Sequence, residues 1–377
     1  MRGNKKINVL YDERLVGTIA EISNRKTAFE YSDEWLETGF SISPFSLPLK
    51  KQVFIPNKDY FNGLFGVFAD SLPDAWGRLL LERLLKQRGK EVYEYTLLDR
   101  LAIVGSSGMG ALTYEPQLEM TIDSKTDDLD ELESQCRKIL NTEYSEKLDE
   151  LYRLGGTSGG ARPKIMTKID DSYWIIKFPA HVDKKESGKM EYDYSICAKK
   201  CGIEMSETKL FESSKCKGYF GTKRFDRQQI NGKTRHIHMV TAAALIEIDF
   251  EQPSLDYHSL MKLTKIITND NKEDIENMYR RMCFNVFAHN RDDHSKNFTF
   301  LYDDINDSWR LSPAYDLTFS NTYYGEHTTM VDGNGRNPGM KELVNVGVQA
   351  GMNRDICLGV AEKIKKLVFA MLGEYLK

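Results

Sequence analysis

The strongest constraint on this chain is an apolar helix that runs directly into a short polar loop and then into a strand hairpin. From Asn277 to His289, Met278, Met282, Cys283, Val286 and Phe287 recur at helical spacing and define one buried face. This helix delivers the loop Arg291-Asp292-Asp293-His294-Ser295-Lys296-Asn297. Phe298–Leu301 and Trp309–Leu311 then read as the two strands of a hairpin. Ser312–Thr318 follows and returns Asp316 to the end of the hairpin where Asn297 sits. Two carboxylates and an amide converging there are hard to explain as core packing.

At 377 residues the chain is too long for one ordinary core, so two or more subdomains are expected. Hydrophobic residues at 41% and charged residues at 29% describe a globular protein, not a disordered or fibrous one. The formal charge of −4 and a pI near 6.1 argue against a protein that coats nucleic acid by itself, because phosphate neutralisation needs a basic face. The six cysteines are scattered without a paired framework, as in reduced thiols; Cys197 and Cys201 read as core thiols at i, i+4 on a helix. The first residues carry no signal-peptide pattern, and no stretch approaches the ~20 apolar residues of a membrane span. The expected address is therefore the cytoplasm, with no membrane partner.

Four segments are expected along the chain. Residues 1–118 begin with a small antiparallel β unit over Ile7–Phe54, then a helix from Ala75 to Lys86 stopped by Gly89, with Pro73 in its first turn. A second helix is expected over Tyr95–Ile103, and the Gly105–Gly110 cluster reads as a helix-to-strand turn before Ala111–Tyr114. Residues 119–150 form a helical connector, acidic and polar from Asp123 to Asp149. Residues 151–235 form a nucleotide-binding part: a glycine-rich turn, a hairpin ending in Lys177, and a helix from about Met190 to Cys201 that carries Glu191. Residues 236–377 are mostly helical. The fold class expected is α+β.

The loop spacing suits phosphoryl transfer, which asks a protein chiefly for charge neutralisation and alignment. An Asp and an Asn five positions apart match a kinase catalytic loop, although such a pair taken alone is more often a solvated turn. In that reading Asp292 takes the substrate hydroxyl proton, while Asn297 and Asp316 offer hard oxygens to Mg2+. Gly155–Gly160 can bring backbone N–H groups against phosphate, with Thr157 and Ser158 adding hydroxyl donors. Taken alone, that turn is a surface loop, and it is not a Walker A loop. Lys177, in Trp-Ile-Ile-Lys-Phe, shares a strand face with Ile175. It reads equally as a phosphate ligand held by Glu191 or as an edge-strand Lys reaching water. His289 and His294 read as loop-shaping hydrogen bonders.

Several strings together resemble the HipA family of bacterial serine/threonine kinases: Leu154–Lys164, Ile-Ile-Lys-Phe-Pro around Lys177, Arg224-Phe225-Asp226-Arg227, Asp292–Phe298 and Pro313-Ala314-Tyr315-Asp316. Leu72-Pro73-Asp74-Ala75-Trp76-Gly77-Arg78 and Gly108–Leu112 resemble that family's N-terminal domain. The resemblance implies a two-lobed protein-kinase-like fold, related to phosphoinositide kinases, with a β-rich N-terminal subdomain and a mostly helical C-terminal lobe. It implies ATP and Mg2+ as cofactors. The implied nucleotide contacts are Gly156, Thr157, Ser158, Gly159 and Gly160 in the turn, with Lys177, Lys223, Phe225, His294 and Lys296 elsewhere. The implied role is a toxin that phosphorylates Ser or Thr of a cellular protein such as an aminoacyl-tRNA synthetase, causing growth arrest and persistence. The implied partner is a small HipB-like DNA-binding antitoxin, through which DNA is met only indirectly. Self-modification would fall on Thr157 or Ser158. Lys223 departs from the family's usual Glu before Arg-Phe-Asp-Arg, and Val240-Thr241 replaces a usual acidic pair. The competing expectation is a nucleotide-binding but catalytically silent partner of an antitoxin or repressor.

Overall fold

Along β1 (Lys6–Tyr11) alternate side chains Ile7, Val9 and Tyr11 are buried, the period-2 signature of a strand with one face on a core. With β2 (Arg14–Glu21), β3 (Thr27–Tyr31) and β4 (Leu112–Glu115) it forms an antiparallel sheet of order β3-β2-β1-β4. The computed structural model describes residues 6–22, 26–118, 128–180, 183–230, 232–252, 254–322 and 324–377. Residues 119–127 of the expected connector, Asp123 among them, lie outside these.

After β3 the chain forms α1 (Asp33–Thr38), where the Ser32 side chain accepts from the Trp35 N–H, and then α2 (Gly66–Ala69). Helix α3 (Ala75–Gln87) presents Trp76, Leu80, Leu81, Leu84 and Leu85 to the core, and Gly89 stops it at φ +66°. Pro73 lies just before this helix, not in its first turn, because Asp74 is the residue that enters it. Helix α4 (Leu97–Val104) starts two residues later than its apolar pattern predicts, since Thr96 and Asp99 form a reciprocal capping box. The described part of the connector contains α5 (Leu129–Leu140), and α6 (Leu148–Gly155) begins at its end and runs into the segment expected to bind nucleotide.

Strands β5 (Lys164–Ile169) and β6 (Ser172–Lys177) form a hairpin whose turn residues Asp170 and Asp171 both have positive φ, as a tight two-residue turn requires. The elements that follow are α7 (Ser187–Lys200), β7 (Thr208–Phe211), β8 (Tyr219–Lys223), β9 (Arg227–Ile230), β10 (Lys233–His236), β11 (Met239–Thr241) and α8 (Ala242–Ile246). Beyond them lie β12 (Leu255–Asp256), α9 (Tyr257–Ile267), α10 (Lys272–Phe287), β13 (Thr299–Asp303), β14 (Ser308–Leu311), β15 (Thr329–Met330), α11 (Met340–Gln349) and α12 (Arg354–Leu372).

The chain divides into two compact units. The first holds Met1–Glu186, Phe211–Val240 and Ala244–Ile248. Its apolar cluster joins Trp76, Leu80 and Leu84 of α3 to Leu132 of α5, Leu151 of α6 and Ile176 of β6, so the N-terminal segment shares a core with the β5–β6 hairpin. The second unit holds Ser187–Leu210, Thr241–Ala243 and Asp249–Lys377. There α10 packs on α9, α11 and α12, and α12 packs on α7. Helix α10 begins five residues before its apolar stripe because the Asn271 side chain caps the Asp274 N–H. It ends at Phe287, where Ala288 caps it and His289 turns to φ +53°.

Candidate functional site

In the first unit, α6 runs into the glycine-rich turn so closely that Gly155 is its last residue. A side chain at Gly155 would place its Cβ 2.4 Å from the Lys164 carbonyl oxygen, and Gly160 sits at φ +84°. Close backbone approach thus dictates Gly155, and a positive φ dictates Gly160. The Thr157 hydroxyl donates to the Ser107 carbonyl at 2.8 Å and the Ser158 hydroxyl to the Gly155 carbonyl at 2.7 Å. Both residues are buried. In this conformation the hydroxyls face inward and hold the turn's shape.

Lys164 and Lys177 are register partners across the β5–β6 hairpin, which puts both side chains on one face. The Lys164 ammonium is buried and donates to the Gly159 carbonyl at 2.5 Å. Lys177 extends over the Phe220 ring at 5.7 Å. Its strand is flanked by β5 and β8 and is not an edge, which removes the edge-strand reading. Its face is the half-exposed one, while Trp174 and Ile176 fill the core. Two ammonium groups beside a glycine turn form a setting for an anion.

Lys223, the last residue of β8, and Phe225 are partly exposed, and between and beyond them lies a buried charge network. The Asp226 carboxylate accepts from Arg224 Nε at 2.9 Å, Arg227 Nη1 at 2.8 Å and the Gly110 N–H at 2.7 Å. Arg227 in turn donates to the carbonyls of Gly108 and Gly110. Burial works to raise the Asp226 pKa, yet the two guanidiniums and these hydrogen bonds hold it well below the usual carboxylate range. Arg-Phe-Asp-Arg therefore locks the segment after β8 onto the Gly105–Gly110 turn. The alternating charges and the glycine turn are each visible in the sequence; that one clamps the other is not.

In the second unit the polar loop behaves as the helix-to-hairpin spacing predicts, with one division of labour that spacing could not reveal. Asp292 keeps 60% of its side chain exposed, whereas Asp293 is fully buried. The Asp293 carboxylate accepts from the Tyr257 hydroxyl at 2.9 Å, His327 Nδ1 at 3.0 Å and the Thr329 N–H at 3.1 Å. Asn285 donates onward to Tyr257, and Asn290 to Asn285. Asp293 is the anchor, and Asp292 is left presented to solvent.

The Asn297 Nδ2 donates to the Asp292 carbonyl at 2.8 Å. A carbonyl can only accept, so this bond assigns the amide's nitrogen and turns its oxygen the other way. Tyr315 ties the Asp316 segment to the same place: its hydroxyl donates to the Lys296 carbonyl at 2.6 Å and pairs with Thr299 Oγ1. Asp316 lies at φ +52°, a conformation that a non-glycine residue adopts at a cost. Buried Arg281 donates to the Ser312 carbonyl, steadying the approach to Pro313. An amide oxygen and a carboxylate are the hard donors that a divalent cation takes, its remaining ligands coming from phosphates and water. Among the described residues no group of three or more His, Cys, Asp or Glu forms a metal cluster.

His294 Nδ1 accepts from the Lys296 N–H at 3.3 Å, shaping the turn Ser295–Asn297, and Lys296 lies over Phe250 at 4.6 Å. Glu191 is buried on α7 in the second unit, whereas Lys177 belongs to the first.

The sequence matches the family model of the HipA N-terminal domain over residues 7–115 and that of the HipA-like C-terminal domain over residues 156–370. Y4mE of Sinorhizobium fredii, named as a candidate kinase, is 24% identical over 349 residues, spanning 84% of this chain and 78% of that protein. The solved complex of HipA, HipB and operator DNA from Shewanella oneidensis MR-1 contains a chain with the same fold. That chain aligns at a TM-score of 0.73 and 16% identity, covering 98% of this chain and 90% of its own length.

Proposed function

The chain belongs to the HipA family, and from that premise we propose that it is an ATP- and Mg2+-dependent protein serine/threonine kinase serving as the toxin of a toxin–antitoxin pair. One observation carries the reading: Asn297 commits its amide nitrogen to the Asp292 backbone, leaving its oxygen as the acceptor, while Asp293 is buried so that of the two aspartates Asp292 is the one presented. In this reading Asp292 accepts the proton of a Ser or Thr hydroxyl as that oxygen bonds to the γ-phosphorus. The bond from the γ-phosphorus to the β-phosphate oxygen breaks, and ADP leaves. Lys177 and Lys164 neutralise phosphate oxygens in this reading. Gly156–Gly160 border the phosphates, and Lys223, Phe225, His294 and Lys296 contact the rest of the nucleotide. Mg2+, held by Asn297 and Asp316, supplies charge neutralisation when bound.

The partner in this reading is a HipB-like DNA-binding antitoxin, supported by the composition of the solved Shewanella complex. DNA is met through that partner, consistent with a formal charge of −4. The cellular target is a translation component such as an aminoacyl-tRNA synthetase, and the compartment is the cytoplasm. Among the described residues no helix is long and apolar enough to cross a membrane. Self-phosphorylation at Thr157 or Ser158 requires those hydroxyls to leave the Ser107 and Gly155 carbonyls.

A second reading is a nucleotide-binding but catalytically silent partner of the antitoxin. Incubation of the purified chain with γ-labelled ATP and Mg2+, beside Asp292→Ala, decides between them. Mass spectrometry of residues 155–164 and of co-incubated lysate proteins reads the result. Label that depends on Asp292 supports the kinase; nucleotide binding without label on any protein supports the silent partner.

A further inference from the structure

Asp74 stands at the N-cap of α3 but does not cap it: its side chain makes no bond to the helix's own first N–H groups. An N-cap Asp normally supplies that bond, and forgoing it costs about 1 kcal/mol of helix stability. The carboxylate instead accepts the Gly160 N–H, while the Trp76 N–H, in the first turn of α3, donates to the Gly160 carbonyl at 3.3 Å. Both backbone polar groups of one residue in the glycine-rich turn, the N–H and the C=O of Gly160, are thus bonded by the start of α3. The neighbouring side chains extend the same grip. The Trp76 indole N–H donates to the Lys164 carbonyl at 3.1 Å, and a Cβ at Gly77 would fall 2.5 Å from the Gly156 carbonyl oxygen.

We propose that Asp74 is a positioning residue for the glycine-rich turn, so that the N-terminal domain sets the conformation in which the turn meets nucleotide. The nucleotide part of this rests on the function proposed above; the positioning part does not. A hydrogen bond from a backbone N–H to a carboxylate is strong enough that its loss should change the population of the bonded turn by about tenfold. Asp74→Asn keeps an acceptor oxygen in place and should behave as the parent.

The test compares parent, Asp74→Ala and Asp74→Asn by amide hydrogen exchange over residues 155–162 and by ATP titration with and without turnover. The expected result is about tenfold faster exchange in that segment for Asp74→Ala only, with a similar rise in KM for ATP and kcat within about twofold of the parent. Unchanged exchange in Asp74→Ala overturns the proposal. Tighter ATP binding in both variants also overturns it, because Asp74 would then be acting as a repelling charge. Faster exchange with no ATP binding by the parent supports the positioning role and sinks the nucleotide reading instead. Should Asp74→Ala fail to fold, Asp74→Ser, which removes the carboxylate that accepts the Gly160 N–H but keeps a hydroxyl suited to capping α3, replaces it under the same expectations for exchange.

Discussion

Tyr257 donates its hydroxyl to Asp293 at 2.9 Å, so the aspartate beside the candidate base is committed to holding the loop. Two adjacent residues of the same type should then fail in opposite ways. Asp292→Ala is expected to lower kcat by roughly 10²–10⁴ with the melting temperature unchanged. Asp293→Ala leaves the Tyr257 hydroxyl and the His327 and Thr329 N–H groups unpaired in the interior, and should cost about 3 kcal/mol or more of stability. Denaturant unfolding beside phosphoryl-transfer assays separates the two; equal stability losses would remove the distinction.

Asn297 and Asp316 are expected to act on the cation rather than on the fold. Asn297→Ala and Asp316→Asn should each raise the Mg2+ concentration for half-maximal activity by about tenfold or more. Titration of activity against Mg2+ at saturating ATP checks this. A shift in KM for the protein substrate alone would place these residues elsewhere in the site.

The Asp226 network should be costly to break. Asp226→Ala leaves two buried guanidiniums without their carboxylate and should destabilise by about 3–5 kcal/mol. The native pKa of Asp226 lies below its unfolded value, so its contribution is present above the ordinary carboxylate range and is lost as pH falls through the native value. Acid unfolding curves of parent and variant should converge at the lowest pH.

His238 predicts a second pH window. It is buried, its Nε2–H donates to the Ile42 carbonyl at 2.8 Å, and burial pushes its pKa down to about 4 from the ordinary 6.5. Between those values the unfolded chain binds more protons than the native one, so stability should fall as pH drops from about 6.5 to about 4 and level off below. His236, lowered to about 4 by burial and by Arg227, adds in the same direction. Urea midpoints across this range should slope less in His238→Gln.

Glycines can be sorted by what surrounds them. Gly77→Ala places a methyl against the Gly156 carbonyl and should destabilise by about 1–3 kcal/mol. Gly359 in α12 has nothing within 4 Å of its ideal Cβ, so Gly359→Ala should stabilise by about 0.5–1 kcal/mol. Thermal melts of the two variants should move in opposite directions.

By itself, the sequence determined the elements and the chemical types available. Period-2 burial in β1, the apolar stripe of α10 and the Asp170-Asp171 turn of the β5–β6 hairpin are local properties, written in side-chain spacing and turn preference. So was the family, because its strings are spread along almost the whole chain. What it could not determine was which polar residue faces inward. Asp292 and Asp293 are chemically identical neighbours, and only Tyr257, His327 and Thr329, brought in from remote segments, decide that Asp293 is the buried one. The same holds for Asp74, which local preference assigns to capping α3 and which tertiary structure assigns to Gly160, 86 residues away. It holds too for Thr157, whose hydroxyl finds Ser107 rather than solvent. A buried polar group must be satisfied, and where its partner comes from is a property of the packed chain, not of the neighbouring residues.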